Sequence, residues 1–407
     1  MSRSLRPPAT PAAGARSTSP TIIAIRTARI LYELEVPIVY GAWVMRHREF
    51  VLVRIDADDG STGFAYCLTR DGPIPEIVAR TIAPRYVGSS ALDPEAVFYD
   101  TLYSNHAVHA SGIGMRSLSI VDIAAWDLAC KIRNVSIAEA LGTQANHIGP
   151  VRLPATAIVG YPPSLGPDVV ADQVRSLWAE GWRRFKVPIA PDVDATVERL
   201  RAAREAAPAG WVGFDANMVF RTADDVAQFD NRVADLRLGW IEDLVPPGDA
   251  ALVADCRAAA STQVAMGDEQ GGSYHPQALL SHQAVDVLRI DLTTNGGVTR
   301  MPRVLDQARR AGVPVAPHMY PHLHSRVLPA LGAIDVPIEW GVPGTGVHPM
   351  DDCLEQPIVR EGLMEPLAQD AGFGTLVNRD WIGSQHVVDP DGLLDEVDDP
   401  EEPGGDP

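Results

Sequence analysis

No stretch of the chain stays apolar over the roughly 18 residues that a membrane-spanning helix requires, which excludes a membrane partner of that kind. Cysteine is scarce. Cys67, Cys130, Cys256 and Cys353 stand far apart without CxxC spacing, so there is no disulfide framework, and the pattern fits reduced thiols in the cytoplasm. Basic residues are in deficit, with 34 Lys and Arg against 53 Asp and Glu. An acidic surface repels a phosphate backbone, which argues against nucleic acid as a partner. About half of the net charge of -19 comes from nine acids between Asp389 and Asp406, where no Lys or Arg occurs. The rest of the chain is therefore only moderately acidic. Residues 1–20, rich in Pro, Ala, Ser and Arg, lack the apolar core of a signal peptide and read as a disordered tail. Residues 389–407 read as a second, acidic one.

What is present suits an enzyme: 407 residues, 46% apolar and 21% charged, enough for two domains and a large core. Residues 21–145 begin with alternating apolar runs, the second closed by the turn signal Asp59-Gly60, and then turn helical through SLSIVDIAAWDLACKI. From Val151 short β-rich runs alternate with amphipathic helical ones, the signature of a parallel βα array. Strands are expected near 152–158, 183–187, 211–214, 238–241, 263–267, 285–290, 313–317 and 335–339. Eight strands over that length fit an α/β barrel better than an open sheet.

Asp215 in VGFDAN, Glu242 in GWIEDL and Asp268 in AMGDEQ follow apolar runs at intervals of 27 and 26 residues. That interval is about one βα unit, so the three acids belong to one rim. The ladder continues with Asp291 after VLRI, His318 after VPVAP and Glu339 after VPI, and Lys186 in RRFKVP precedes it. Core strands seldom end in a buried charge unless it is paired or metal-bound. Three carboxylates around one cavity repel one another, and a divalent cation relieves this; an all-oxygen set suits Mg²⁺, with Mn²⁺ possible. Glu269 beside Asp268 is the alternative third ligand. Alternation along a strand lets only one of them face the cavity, and spacing favours Asp268.

Asp291 and His318 end successive strands, so the carboxylate can orient the imidazole and raise its basicity, giving a general base. His322 and His324 follow at once, but no further His supports a zinc site. Glu339 reads as a protonated hydrogen-bond donor to a developing enolate oxygen, with a salt bridge to Lys186 as the alternative. Asn295-Gly296-Gly297 reads as a tight strand-to-helix turn rather than a phosphate site.

The fragments FKVP, GFDAN, WIEDLVPP, MGDEQ, RIDLTTNGGVTR and VAPHMYPHLH, with DIAAWDLACK ahead of them, resemble the enolase superfamily and, within it, the mandelate racemase subgroup, over roughly residues 21–385. The resemblance implies a modified TIM barrel, (β/α)7β, at 146–345, under an α+β capping domain made from 21–145 and a C-terminal return at 346–388. It also implies Mg²⁺ on Asp215, Glu242 and Asp268, a His318–Asp291 base, Glu339 near a substrate carboxylate, and a homo-oligomer from dimer to octamer. Members of that superfamily pair a Lys or His base with Mg²⁺.

One position departs from the family pattern, whose second strand often ends in Lys-x-Lys. Here the triplet is Lys186-Val187-Pro188, and Pro188 stands where a base on the opposite face would be. Elimination needs one base and racemisation two. The expectation is therefore a dehydratase acting on an acid sugar or related hydroxy acid, with Lys186 binding the carboxylate. A racemase or epimerase is the alternative, and a binding protein that kept the fold without turnover is the reading of another class. Specificity is expected from Tyr40, Trp43, Arg46, His47, Tyr66 and Arg70 of the capping domain, with Asn217 at the rim; Arg46 and Arg70 could hold a distal carboxylate.

Overall fold

The computed structural model describes residues 19–394 apart from 41–42, 143–151, 273, 355–356, 366–369 and 375–377. The expected tail at 1–20 thus falls almost wholly outside the described residues, as does the stretch from 395. Among the described residues no helix is long and apolar enough to cross a membrane.

Alternating apolar residues build an antiparallel meander of β1 (Ile22–Tyr40), β2 (Trp43–Ala57) and β3 (Thr62–Leu68). The β2–β3 turn uses Gly60 at φ +86, and Asp59 accepts the Ser61 N–H at 2.9 Å. Helices α1 (Pro94–Ser104) and α2 (Gly112–Arg133) complete this layer. From Gly114 to Cys130 α2 is buried at every position but Trp126, and β3 approaches it closely on one side: a Cβ on Gly63 would lie 2.1 Å from the Ala124 carbonyl oxygen.

The barrel strands are β4 (Leu153–Ile158), β5 (Arg184–Pro188), β6 (Trp211–Asp215), β7 (Ile241–Glu242), β8 (Val264–Met266), β9 (Val287–Ile290), β10 (Val315–Pro317) and β11 (Ile338–Gly341). Helices α3 (Pro167–Ala179), α4 (Val193–Ala206), α5 (Ala223–Val233), α6 (Ala250–Ala259), α7 (His275–Ser281), α8 (Gly297–Ala311) and α9 (Pro321–Ala330) each follow one of the first seven strands, giving (β/α)7β. All neighbouring barrel strands pair in parallel, running β10-β9-β8-β7-β6-β5-β4-β11. No backbone ladder joins β10 to β11 among the described residues. Glu339 of β11 spans that gap, its carboxylate accepting the Met319 N–H at 3.1 Å.

The C-terminal segment ties the layers together. β12 (Ile358–Arg360) pairs with β13 (Leu363–Glu365), β13 adds antiparallel to β4, and β14 (His386–Val388) adds to β1. Buried Asp127 of α2 accepts N–H bonds from Phe64 and Phe373, both at 2.9 Å, and so joins the meander to this return. The chain was expected to lose structure from Asp389, and it does not do so there. Asp389 accepts the N–H groups of Leu393 and Leu394 at 2.8 Å, Asp391 accepts the Thr27 N–H at 3.2 Å, and Leu393 is buried. Local carboxylate caps and the cap-domain guanidinium of Arg26, which donates to the Asp391 carbonyl, override the disorder that composition suggests.

Candidate active site

Parallel register sets the rim. Pro188 pairs with Asp215, and Asp215 with Glu242, so three strand ends stand level at the carboxyl end of the barrel. Lys186, two residues before Pro188, faces the same side. Its ammonium lies 2.9 Å from Glu242, 3.5 Å from Asp215 and 2.5 Å from Glu339. Burial alone would lower its pKa, but the three carboxylates outweigh that and hold it well above the usual lysine value.

A second buried cation shares this ring, and sequence reasoning missed it. Arg289 of β9 is wholly buried; its Nη2 lies 2.6 Å from Glu339 and 3.1 Å from Glu242, and its Nη1 donates to the carbonyls of Ala316 and Pro317. The signal was a charge inside the core strand VLRID, which had to be paired. Together Arg289 and Lys186 overcome the effect of burial and depress the pKa of Glu339. The expectation of a protonated Glu339 is therefore corrected: it is an ionised clamp between two cations.

Alternation does not decide between Asp268 and Glu269, because β8 stops at Met266 and Gly267 takes φ +144. Glu269 turns into the cavity and is bound by Arg70 and, at 3.2 Å, by Arg116. Both oxygens of Asp268 are buried without a hydrogen bond, as is Oε2 of Glu242. Asp243 likewise has φ +47 and presents its carboxylate beside Glu242 and Asp215, the three sets of ligand atoms lying within 4.8 Å. Burial pushes Glu242 up to about 8 and raises Asp268 and Asp243, the last helped by the charges of Asp268, Glu242 and Asp215. Acids that are buried, crowded and short of hydrogen bonds form an all-oxygen donor set, which fits a hard divalent cation.

Across the cavity, His318 Nδ1 lies 3.0 Å from Asp291, whose other oxygen accepts the Thr293 N–H at 2.7 Å and hydroxyl at 2.8 Å. Nδ1–H therefore donates to the carboxylate, leaving Nε2 as the free proton acceptor. Burial, with Lys186, Arg70, Arg289 and Arg116 nearby, pushes the His318 pKa well below its ordinary value, and burial raises Asp291 to about 7. The direction of the shift favours the neutral imidazole. His324 is a structural residue: Nδ1 donates to the Met319 carbonyl at 2.7 Å and Nε2 accepts the Leu292 N–H at 3.1 Å. The Asn295-Gly296-Gly297 turn docks on α2, with Gly296 N–H on Ser119 and Thr299 N–H on Asp122, so these amides are not free for a phosphate.

Lys186, Asp215, Glu242, Asp243, Glu269 and His318 line one cleft between barrel and cap. Of the expected substrate residues, Tyr40, Arg70 and Asn217 line it; Tyr40 hydrogen-bonds the hydroxyl of Tyr161, which sequence reasoning did not single out. Arg46 and His47 do not line it: Arg46 is exposed and His47 contacts Asp71 at 3.2 Å near the surface. Arg48 enters instead. β1 and β2 slip register between Glu33 and Ile38, next to this part of the hairpin. Tyr66 is buried against His322, and the side chain of Trp43 lies outside the described residues. Asn217, Met218, Asp243, Met319 and Tyr320 all have positive φ just beyond strand ends, so backbone strain gathers at the cleft.

Comparison with known proteins agrees with this architecture. Residues 22–142 match the mandelate racemase / muconate lactonizing enzyme N-terminal domain, and residues 169–381 the enolase C-terminal domain-like family. D-galactarolactone cycloisomerase of Agrobacterium fabrum is 27% identical over 91% of this chain and 100% of its own length. L-talarate/galactarate dehydratase of Salmonella typhimurium is 24% identical over 67% of this chain and 69% of its own. The crystal structure of a racemase from Streptomyces coelicolor with bound magnesium superposes with a TM-score of 0.77 at 21% identity, covering 89% of this chain and 99% of that one. The chain belongs to the enolase superfamily, with the mandelate racemase and muconate lactonizing enzyme domain pair.

Proposed function

We propose that the protein is a Mg²⁺-dependent hydro-lyase that removes the proton alpha to the carboxylate of an acid sugar or related hydroxy acid and expels the beta hydroxyl as water. The observation that carries this reading is a single His318–Asp291 dyad facing a second strand that ends in Lys186-Val187-Pro188. Pro188 cannot move a proton, so among the described residues the evident base is His318. Relatives named as dehydratases and a cycloisomerase support the class of chemistry.

Asp215 and Glu242 would hold the ion, with Asp268 as the third ligand that spacing suggests; Asp243 is the acid whose ligand atoms lie within 4.8 Å of both, whereas Asp268 groups with Glu269 and His318, and Glu269 is already bound by Arg70 and Arg116. A bound Mg²⁺ supplies Lewis-acid stabilisation of charge on the substrate carboxylate. His318 Nε2 takes the alpha proton, and Asp291 stabilises the imidazolium that results. The same proton then passes from Nε2 to the departing hydroxyl, so water leaves, the carbon–oxygen bond breaks and the product tautomerises to a keto acid. Lys186 neutralises the carboxylate ring and helps seat the substrate carboxylate. Arg289 is a positioning residue that holds Glu339 and Glu242. Action in the cytoplasm is part of this proposal and is supported by four free, buried cysteines.

The test is incubation of the protein and Mg²⁺ in D₂O with mono- and diacid sugars. Keto-acid formation is expected. Inversion at the alpha carbon with deuterium incorporation and no keto acid would replace dehydration by racemisation.

A further inference from the structure

Two guanidinium groups line the cleft, Arg48 and Arg70, and Arg70 is committed to a protein partner. Arg70 and Arg116 share Glu269, and Arg116 also donates to the Leu68 carbonyl. Arg48 differs. It is 4% exposed and lines the cleft, its Nε is buried without a hydrogen bond, and no described carboxylate lies within 4.0 Å of it. A buried cation without a counter-charge carries a desolvation penalty. Such a group is tolerated where an anion completes it. Arg48 sits near enough to Tyr161 and Arg70 for its charge to be felt at both. The Tyr40–Tyr161 hydroxyl pair belongs to the same wall and provides hydrogen-bonding groups for sugar hydroxyls.

Resting on the dehydratase reading above, we propose that Arg48 binds a second anionic terminus of the substrate. Lys186 and the carboxylate ring serve the carboxylate that activates the alpha carbon, and Arg48 serves the far end. The substrate class is then a doubly charged acid sugar, an aldaric acid or a phosphorylated aldonic acid, and not a simple aldonic acid. A guanidinium with Nε and an Nη free presents the two-pronged edge that matches a carboxylate or a phosphate. A monoacid leaves Arg48 buried and unpaired, and this is the origin of the discrimination.

Titration calorimetry with Mg²⁺ present tests the assignment on the parent protein, Arg48→Gln and Arg48→Lys. The ligands are four- to six-carbon aldaric acids, the aldonic acids of matching configuration, and six-carbon 6-phosphoaldonic acids. At least one doubly charged acid should bind about tenfold or more tighter than its aldonic counterpart. Arg48→Gln should reduce that ratio to about twofold or less, and Arg48→Lys should restore part of it. Which dianion wins separates carboxylate from phosphate. The thermal midpoint of Arg48→Gln should hold or rise, because an uncompensated charge has been removed. An equal or tighter aldonic acid, a ratio unchanged in Arg48→Gln, or no dianion binding at millimolar concentration overturns the proposal. If Arg48→Gln does not fold, the parent's own ratio decides. Alpha-proton exchange in D₂O on the bound acid is a separate readout: a retained dianion preference without exchange sinks the dehydratase reading and leaves the subsite.

Discussion

Arg289 and Asp291 stand two residues apart at the end of β9 and serve opposite parts of one cavity: Arg289 holds Glu339 at 2.6 Å and Asp291 holds His318 at 3.0 Å. One strand end therefore sets both the ion-pair ring and the proposed base. Displacing β9 would disturb both, which couples charge balance in the ring to the geometry of the His318–Asp291 pair.

Arg289→Met should destabilise the protein strongly. Removing one partner of a buried pair typically costs about 3–5 kcal/mol, and among the described residues Glu339 and Glu242 would keep only Lys186 as a cationic neighbour. Arg289→Lys should lose less, since it keeps the charge but not the fork that reaches Ala316 and Pro317. Urea unfolding without metal measures this. An Arg289→Met protein as stable as the parent would show that the ring does not need this charge.

Asp215→Asn, Glu242→Gln and Asp268→Asn should each weaken Mg²⁺ binding sharply while the fold persists. Saturating Mg²⁺ should raise the parent's stability by linkage, by about 2.7 kcal/mol at a hundredfold excess over Kd, and chelation should remove the gain. The variants should show little of it. Glu269→Gln is the control, because its carboxylate is held by arginines. Equal loss of Mg²⁺ affinity in Glu269→Gln would move the third ligand by one residue.

His318→Asn should abolish alpha-proton exchange with D₂O together with keto-acid formation, with losses of about 10²–10⁴-fold or more, the range for a general base. Asp291→Asn should reduce both, because the imidazole loses its orienting partner. Lys186→Met should mainly impair substrate binding. Exchange surviving in His318→Asn at a substantial fraction of the parent rate would reveal a second base and favour the racemase reading.

Asp122 gives a pH test away from the cleft. It is buried on α2 and accepts the Thr299 N–H at 3.0 Å and hydroxyl at 2.7 Å, yet burial pushes it up to about 7 against an ordinary 3.8. The folded state thus binds this proton more tightly than the unfolded chain does. Its stabilising contribution is full below about pH 4, falls as pH rises towards 7, and is flat above that. Asp122→Asn should lack this slope. Denaturation midpoints across pH 5 to 8, expressed as parent minus variant, should decline by an amount on the order of a few kcal/mol. A difference that rises with pH would mean that the hydrogen bonds from Thr299 outweigh burial.

Periodicity made the barrel legible. A βα unit has a nearly constant length, so Asp215, Glu242, Asp268, Asp291 and His318 could be placed at successive strand ends by counting residues. The helical stripe of DIAAWDLACK and the Asp59-Gly60 turn were legible for the same reason: each is a local property of backbone and neighbours. Alternation was the tool that failed, because it holds only while the strand lasts. β7 ends at Glu242 and β8 at Met266, and beyond them the left-handed backbone at Asp243 and the positive φ of Gly267 turn consecutive acids into one cavity. The ionised state of Glu339 was likewise hidden, since Arg289 is 50 residues away in sequence and 2.6 Å away in space. Arg46 and Arg48 share one face of β2, so alternation could not tell which of them enters the cleft. Spacing along the chain determined which strands carry charges. Only the folded arrangement decided which charges meet, because pairing energies depend on distance and burial, and both are properties of elements remote in sequence.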